Sequence, residues 1–247
     1  NGTGVSGLPD VDFYGQPRTS GLSLDIGATE YQNTQEFYPS VEGIFYVRSA
    51  ADGLPQGTGS SWNSPILEVI YAMQAAKEYK EKNPAKDVQV WIAKGTFNVS
   101  TSLPLAEGVH IYGGFAGTET SVDQRSKVSG GEFWDFSNEV VLDGQNSTQI
   151  MSQSVNFNTE TYIDGLTFKN ANSSSNGGGI YALAKTMVQY CKFIDCKASN
   201  GGGVYFNNAT GAKVIYSYFK GNSGTNGGAI FSDNSSPRVE NCHIESN

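Results

Sequence analysis

Aromatic residues recur at one position in the last third of the chain, each directly after an aliphatic residue and a glycine-rich block. Neighbouring side chains of an extended strand point to opposite faces, so inward aliphatic residues would place these rings outside. A stripe of exposed rings can stack on sugars or anchor a protein partner. The alternative is that the rings face inward and fill the core. The predicted binding residues are Tyr181, Tyr205, Phe231 and, nearby, Tyr218.

Carboxylates are the second group that could do chemistry, because glycoside hydrolysis needs two of them across a cleft. The outward positions of the repeat described below offer Asp164 and Glu240, which three stacked coils would separate by roughly 14 Å. Asp143 and Asp195 have no evident partner in a neighbouring coil. We therefore predict no catalytic residues in this chain.

Histidines and cysteines complete the set of reactive side chains. His110 and His243 each stand alone in a predicted strand, and no spacing of His, Cys and Asp matches a zinc site. Acidic residues are too sparse to indicate a calcium loop. Cys191, Cys196 and Cys242 are interpreted as small apolar core residues. The prediction is no metal and no cofactor.

The elements that must position these residues come from a repeat in residues 162–247. Each unit contains a short strand rich in Val, Ile, Phe and Tyr, a polar turn and a glycine block. Glycine twice per unit is incompatible with a helical repeat, and the period of 25 to 26 residues is typical of a parallel β-helix coil. The equivalent positions that show this period are Phe168, Phe193, Phe219 and Ile244.

Coils stacked at about 4.8 Å predict columns of equivalent residues. Two inward columns are Ile163, Val188, Val214, Val239 and Leu166, Cys191, Ser217, Cys242. Their odd spacing requires a backbone kink at Gly165, Tyr190, Tyr216 and Asn241. Two outward columns are Thr167, Lys192, Tyr218, His243 and Asp164, Gln189, Ile215, Glu240. A turn column, in which asparagines are expected to hydrogen-bond from coil to coil, is Ala171, Cys196, Asn222, Asn247.

Two sets of motifs carry a resemblance to known families. Gly-Gly-Ala-Ile at 227–230 and Phe-x-x-Asn at 219–222 resemble the repeats of the chlamydial polymorphic outer-membrane proteins. The motifs Trp-Ile-Ala-x-Gly-Thr-Phe at 91–97 and Ile-Tyr-Gly-Gly-Phe at 111–115 resemble the N-terminal cap and first coils of right-handed parallel β-helix, pectin-lyase-like surface proteins of Bacteroidetes. The resemblance implies a right-handed solenoid and an extracellular or cell-surface, outer-membrane-associated location.

The predicted fold is all-β, a right-handed parallel β-helix with an N-terminal amphipathic capping helix. The helix is predicted from apolar spacing after Pro65, with Ser64 or Asn63 as its cap and an end at Asn83-Pro84. Residues 116–138 are a polar excursion from the coil. The predicted domains are an extended arm or the tail of a preceding β-helix domain at 1–33, a linker at 34–42, the cap at 43–87 and the β-helix at 88–247, the last expected to be truncated or covered by another chain at its C-terminal end.

Net charge and the length of apolar runs limit the possible partners and functions of this fold. The net charge of −8 argues against nucleic acid as a partner, and no apolar run reaches membrane-spanning length. The predicted function is a non-enzymatic secreted or cell-surface module that acts as an adhesin, stalk or surface-assembly component. Its expected partners are other protein chains or domains at the solenoid ends, with a glycan as a further candidate. The alternative is a polysaccharide-binding or polysaccharide-cleaving module, similar to lyases or glycoside hydrolases.

Overall fold

A computed structural model describes residues 19–20, 23–24 and 36–247. The chain divides into two compact units, Asn1–Glu36 and Phe37–Asn247. In the first unit, strand Thr19–Ser20 pairs antiparallel with strand Ser23–Leu24. The rest of the predicted arm at 1–33, and the first two positions of the predicted linker at 34–42, lie outside the described residues.

The second unit is a parallel β-solenoid with three sheets, which we call faces A, B and C. Face A contains the strands Ile44–Val47, Val88–Ala93, Val109–Phe115, Thr161–Asp164, Thr186–Gln189, Lys213–Ile215 and Arg238–Glu240. Face B contains Gly95–Asn98, Val140–Asp143, Thr167–Lys169, Lys192–Ile194, Tyr218–Lys220 and His243–Glu245. Face C contains Leu103–Pro104, Met151–Ser152, Ile180–Ala182, Val204–Asn207 and Ile230–Asp233. A smaller sheet pairs Lys197–Asn200 with Ser223–Asn226. From Val88 onward the chain visits A, B and C in that order, and each strand pairs with its counterparts in adjacent coils.

The register confirms the predicted columns. Ile163 pairs with Val188, which is followed by Val214 and Val239 along face A. On face B the Phe168, Phe193 and Phe219 rings stack in parallel, with centroids 4.7 Å apart. A ring spacing close to the coil rise leaves each phenylalanine face covered by its neighbours. The repeat thus supplies a continuous apolar core along the axis.

The predicted kink column is also confirmed. Gly165, Tyr190, Tyr216 and Asn241 have φ angles of +71°, +54°, +50° and +51°. A left-handed conformation costs an ordinary residue roughly 1–2 kcal/mol, so the two tyrosines need compensation. Their rings stack at 5.4 Å, nearly parallel, and the strap described below covers them.

The turn column forms the expected ladder of amide hydrogen bonds. Asn222 is buried; its Oδ1 accepts the Cys196 N–H at 3.0 Å and its Nδ2 donates to the Phe193 carbonyl at 2.9 Å. Nδ2 also donates to Asn247 Oδ1 in the next coil at 2.6 Å. One side chain therefore satisfies polar groups from the coils on both sides.

Replacing Asn222 by alanine is expected to destabilise the solenoid by roughly 1–3 kcal/mol, because it leaves a buried N–H and a buried carbonyl without partners. Urea unfolding followed by circular dichroism measures the loss. Asn247→Ala is the matched control in the same column, where water can replace the exposed amide. Equal losses in the two variants would contradict this account.

Helix α1 spans Val69–Lys82 and ends before Asn83, as predicted. Its buried residues belong to the same hydrophobic core as the first coils. The Tyr79 ring also meets Phe45 edge-on at 6.0 Å. The helix thus adds its apolar face to the core; the buried positions are Val69, Ala72, Met73 and Ala76.

The predicted start of the helix at Pro65, capped by Ser64 or Asn63, is wrong. The residue after the proline, Ile66, pairs with the first strand of face A: its N–H donates to the Tyr46 carbonyl at 2.9 Å, and its own carbonyl accepts the N–H of Arg48, the residue after that strand, at 3.1 Å. Sheet pairing uses the backbone groups that a helical turn would have needed. The Ser64 hydroxyl accepts an N–H within the preceding loop instead of capping α1.

The last coil exposes positions that are buried elsewhere. Val239 is 42 % exposed and Ile244 is 50 % exposed, whereas their counterparts one coil earlier, Val214 and Phe219, are fully buried. The same core columns therefore reach the surface at this edge of the described solenoid.

Candidate functional site

Residues 116–139, which we call the strap, leave the solenoid between a face A strand and a face B strand. The root of the strap is held by Glu119, whose carboxylate accepts the N–H groups of Ala116, Gly117 and Thr118 at 2.7, 3.0 and 3.0 Å. The Trp62 indole N–H donates to the Glu119 carbonyl at 2.8 Å. These bonds turn the chain sharply away from face A.

Glu119 makes the strap root sensitive to acid. Burial opposes ionisation, but the backbone hydrogen bonds outweigh it and lower the pKa of Glu119 below its ordinary value. A lowered folded-state pKa means that the carboxylate stabilises the fold above its unfolded pKa, about 4.3, and that this contribution is lost as the pH falls through the folded pKa. Glu119→Gln should therefore cost roughly 1–2 kcal/mol at pH 7 and progressively less below about pH 4. Denaturant unfolding of the wild-type protein and of Glu119→Gln across this pH range is the measurement. A difference in unfolding free energy that stays constant with pH would contradict this role of Glu119.

A buried ion pair holds the next part of the strap. Arg125 Nη1 lies 2.7 Å from Asp164 Oδ1 and 2.9 Å from the Gly113 carbonyl. The guanidinium also stacks over the Phe136 ring at 4.7 Å, and Gln189 Nε2 donates to the other Asp164 oxygen at 2.7 Å. Asp164 was predicted as an outward, solvent-facing carboxylate; its register is as predicted, but the strap buries it.

Beyond Arg125 the strap runs along the axis over the corner between faces A and B. Its tip is a short antiparallel ribbon closed by a bridge between Lys127 and Phe136. Phe133 contacts the Tyr216 ring at 4.9 Å, and Trp134 stacks on Tyr218 at 5.5 Å with an interplanar angle of 10°. The aromatic rings of the strap thus lie on the kink column and on the outward column of face B.

An open groove of about 540 Å³, which we call the strap groove, lies between the strap and face B. Such a volume is within the usual range of small-molecule sites. The strap contributes Glu132, Trp134, Asp135 and Glu139. Face B contributes Lys192, Ile194, Tyr218, Lys220, His243 and Glu245.

Lys192 organises one end of the strap groove. Its ammonium group lies 2.6 Å from Glu139 Oε1 and 3.4 Å from Asp135 Oδ1, and the Thr167 hydroxyl donates to Glu139 at 2.8 Å. Burial alone would raise the pKa of Glu139, but the hydrogen bonds from Lys192 and Thr167 bring it below its ordinary value. Two carboxylates therefore share one cation here, a pairing that the repeat columns did not predict.

Glu245 organises the other end. It accepts hydrogen bonds from the Tyr218 hydroxyl and from Lys220 Nζ at 3.1 Å, and His243 Nε2 lies 3.3 Å away. The hydrogen bonds from Tyr218, Lys220 and His243 lower the pKa of Glu245 to about 2. The carboxylate is thus ionised over the whole physiological range.

The predicted aromatic stripe is divided between two faces. Tyr181, Tyr205 and Phe231 stack on one another along face C at 5.4 and 5.8 Å, on the side opposite to the buried aliphatic residues. Tyr205 in the middle is only 4 % exposed. Both faces of the Tyr205 ring, and one face each of the Tyr181 and Phe231 rings, are covered by a neighbouring ring. Tyr218 belongs to the strap groove on face B instead.

The remaining reactive side chains, those of the cysteines and His110, are buried or bonded to neighbouring residues. Cys191 and Cys196 are fully buried free thiols, and burial raises the pKa of each to about 12. His110 Nδ1 accepts the Tyr162 N–H at 3.1 Å, and its Nε2 faces Asp87 at 3.5 Å. Within the described residues, no group of three or more His, Cys, Asp and Glu side chains is placed to hold a metal ion.

The strap residues of the groove, which the repeat did not predict, are Glu132, Trp134, Asp135 and Glu139. The cluster Phe133-Trp134-Asp135-Phe136 was visible in the sequence as the end of a polar excursion, and this density of aromatic residues was the available signal. The strap follows no period, so nothing in the sequence indicates which coil it contacts.

Comparisons of this chain with protein-family models, with curated proteins and with solved structures found no match. In the described part of the chain, no helix combines the length and apolar character that crossing a membrane would require. The chemistry of the strap groove is accordingly the main guide to function.

Proposed function

We propose that this chain is a non-enzymatic secreted or cell-surface β-helix module that acts as an adhesin, stalk or surface-assembly component and makes contact through the strap groove. The groove carries the proposal: an aromatic pair, Trp134 and Tyr218, lies between two clusters of fixed charges on a rigid scaffold. The likeness of the repeats to those of bacterial surface proteins supports the location.

The groove is preorganised for recognition. Lys192 holds Asp135 and Glu139, and Glu245 is held by contacts with Tyr218, Lys220 and His243 of face B. Side chains locked by neighbours lose little conformational entropy when a ligand binds. A rigid array of donors, acceptors and aromatic surface is what a contact module requires.

Two finer features of the fold belong to this proposal. We propose that the solenoid is right-handed, supported by the strong preference of parallel crossover connections for that hand and by the resemblance of its repeats. Helix α1 is proposed to cover the open end of the first coil, which its four buried side chains support. Such a cap protects strand edges that would otherwise associate with other chains.

Partners at the solenoid ends are also proposed, with support from the exposed columns of the last coil. Val239 and Ile244 present apolar surface beside the unpaired edges of the strands Arg238–Glu240 and His243–Glu245. An additional coil, from this chain or another, would pair with those edges and bury both side chains.

The experiment that tests the proposed function has two parts. Antibodies raised against the chain should label intact source cells or their medium, and labelling that requires lysis would contradict a surface location. Beads coated with the chain should attach to the source organism's natural substratum. Beads coated with Trp134→Ala should attach less, and equal attachment would exclude the groove as the contact site.

A second candidate function is binding with cleavage of a polysaccharide, favoured by the two carboxylates that flank Lys192. Incubation with polysaccharides, followed by assays for new reducing ends and for unsaturated products, distinguishes the two. Product formation that is lost in Glu139→Gln would replace the non-enzymatic proposal. Retention of intact polysaccharide on the protein would support a contact module.

A further inference from the structure

We propose that the strap groove binds a neutral, hydroxyl-rich saccharide, with the Trp134 indole as the stacking surface. The inference rests on the proposed function, since it names the ligand class of the same groove. It is carried by the geometry around Trp134, by the arrangement of fixed donors and acceptors, and by the charges that line the groove.

Trp134 is held firmly and still has capacity for a ligand. Its ring stacks on Tyr218 and meets His243 edge-on at 6.4 Å, which fixes its orientation. Within the described residues its indole N–H forms no hydrogen bond, whereas the indoles of Trp62 and Trp91 each donate to a protein oxygen. The side chain is half-buried. It therefore offers an apolar ring together with an unused donor, a combination suited to a sugar.

The polar groups around the indole match hydroxyl groups rather than a single charge. A carboxylate has about four lone-pair positions and an ammonium group has three protons. The ion pairs of Lys192 with Asp135 and Glu139, and of Lys220 with Glu245, use only part of these. Unused donors and acceptors therefore remain in the groove. A sugar hydroxyl donates and accepts at once, so it can use both kinds of position.

The charge of the groove selects against anionic saccharides. Its lining contains four carboxylates, Glu132, Asp135, Glu139 and Glu245, against two lysines. A uronic acid or sulfate would meet this excess of negative charge. A neutral saccharide avoids this cost.

The ladder on face C is the competing location for saccharide binding. There the Tyr205 ring lies between its two neighbours, the Asn207 amide donates to the Tyr181 hydroxyl at 2.7 Å, and the Tyr205 hydroxyl donates to Asp233 at 3.0 Å. Both faces of the Tyr205 ring are therefore covered, and the hydroxyl groups of Tyr181 and Tyr205 each already have a partner, whereas the Trp134 indole N–H has none in the described part of the chain. The strap groove is therefore the better site.

The test uses purified oligosaccharides of two classes as probes: neutral gluco-, galacto- and manno-oligosaccharides, and oligosaccharides that carry uronic acid or sulfate. Binding is measured by isothermal titration calorimetry on the 247-residue chain after an array screen. At least one neutral oligosaccharide is expected to bind. Trp134→Ala should weaken that binding by about tenfold or more, consistent with the loss of one aromatic contact, and Trp134→Phe should weaken it less.

Tyr181→Ala is the matched control, because it removes an outward stacked ring from a different face and should leave affinity unchanged. Circular dichroism and thermal unfolding verify that each variant is folded. Loss of binding in Tyr181→Ala with retention in Trp134→Ala would overturn the site. A preference for anionic oligosaccharides that depends on Trp134 would overturn the ligand class and leave the proposed function standing. If no saccharide binds, the inference is wrong, and the bead-attachment assay decides separately on the proposed function.

Discussion

Replacing Arg125 by methionine is expected to destabilise the protein by about 3–5 kcal/mol. The substitution leaves the buried Asp164 carboxylate with Gln189 as its remaining side-chain donor and removes the bond from the strap to the Gly113 carbonyl. Both side chains of the ion pair are more than nine-tenths buried, so water cannot readily compensate. Guanidinium chloride unfolding, with the midpoint and slope fitted together, measures the loss.

Arg48→Met is the matched control for Arg125. Arg48 also pairs with an aspartate, Asp52, at 2.8 Å, but its side chain is partly exposed, and such pairs contribute about 0–1 kcal/mol. The double variant Arg125→Met/Asp164→Asn should recover part of the stability, since it removes the unpaired charge. A loss in Arg125→Met no larger than in Arg48→Met would show that the strap is not anchored by this pair.

The second large effect is expected at Phe193, where alanine should cost about 3–5 kcal/mol. The ring is fully buried and stacks between Phe168 and Phe219 at 4.7 Å on each side. Its removal deletes both stacking contacts and leaves a cavity in the middle of the axis. Urea unfolding at 25 °C provides the measurement.

Ile244→Ala is the comparison for Phe193, because it truncates the same column where that column is half exposed. The loss there should be about 1 kcal/mol, in line with partial burial. A similar loss at both positions would mean that the column does not pack as one continuous core.

The periodic part of this fold was predictable from sequence, because each coil repeats the same local chemistry. The spacing of Phe168, Phe193 and Phe219 is enough to place them in one column. Even the left-handed tyrosines were predictable: an odd step between two inward columns requires a kink, and Tyr190 and Tyr216 occupy that position.

The candidate site was only half predictable, since it joins a periodic face to an aperiodic strap. Tyr218, Lys192 and His243 were correctly placed in one outward column. Their partners Trp134 and Asp135 come from a segment with no repeat, and contacts of that kind depend on where a loop folds back in space. The burial of Asp164 was missed for the same reason.

Local signals also failed where backbone pairing competes with them. Pro65 after Ser64 is a good helix-start pattern, yet Ile66 pairs with the neighbouring face A strand instead of entering a helix. Of the two orientations that the sequence left open for Tyr181, Tyr205 and Phe231, the structure has the one opposite the buried aliphatic residues, but outward orientation does not guarantee access. Rings at the coil spacing cover one another, which the sequence pattern alone does not reveal.

The course of the strap has a consequence for how this molecule unfolds. In most solenoids each coil touches only its nearest neighbours, so stability is a sum of local terms and the ends fray independently. Here one segment contacts four later coils in succession, through Asp164, Tyr190, Tyr216 and His243. Loss of the last coil therefore also removes contacts of a segment rooted several coils earlier. The strap therefore adds long-range cooperativity to the solenoid. The rates of amide hydrogen exchange in these four coils should rise or fall together.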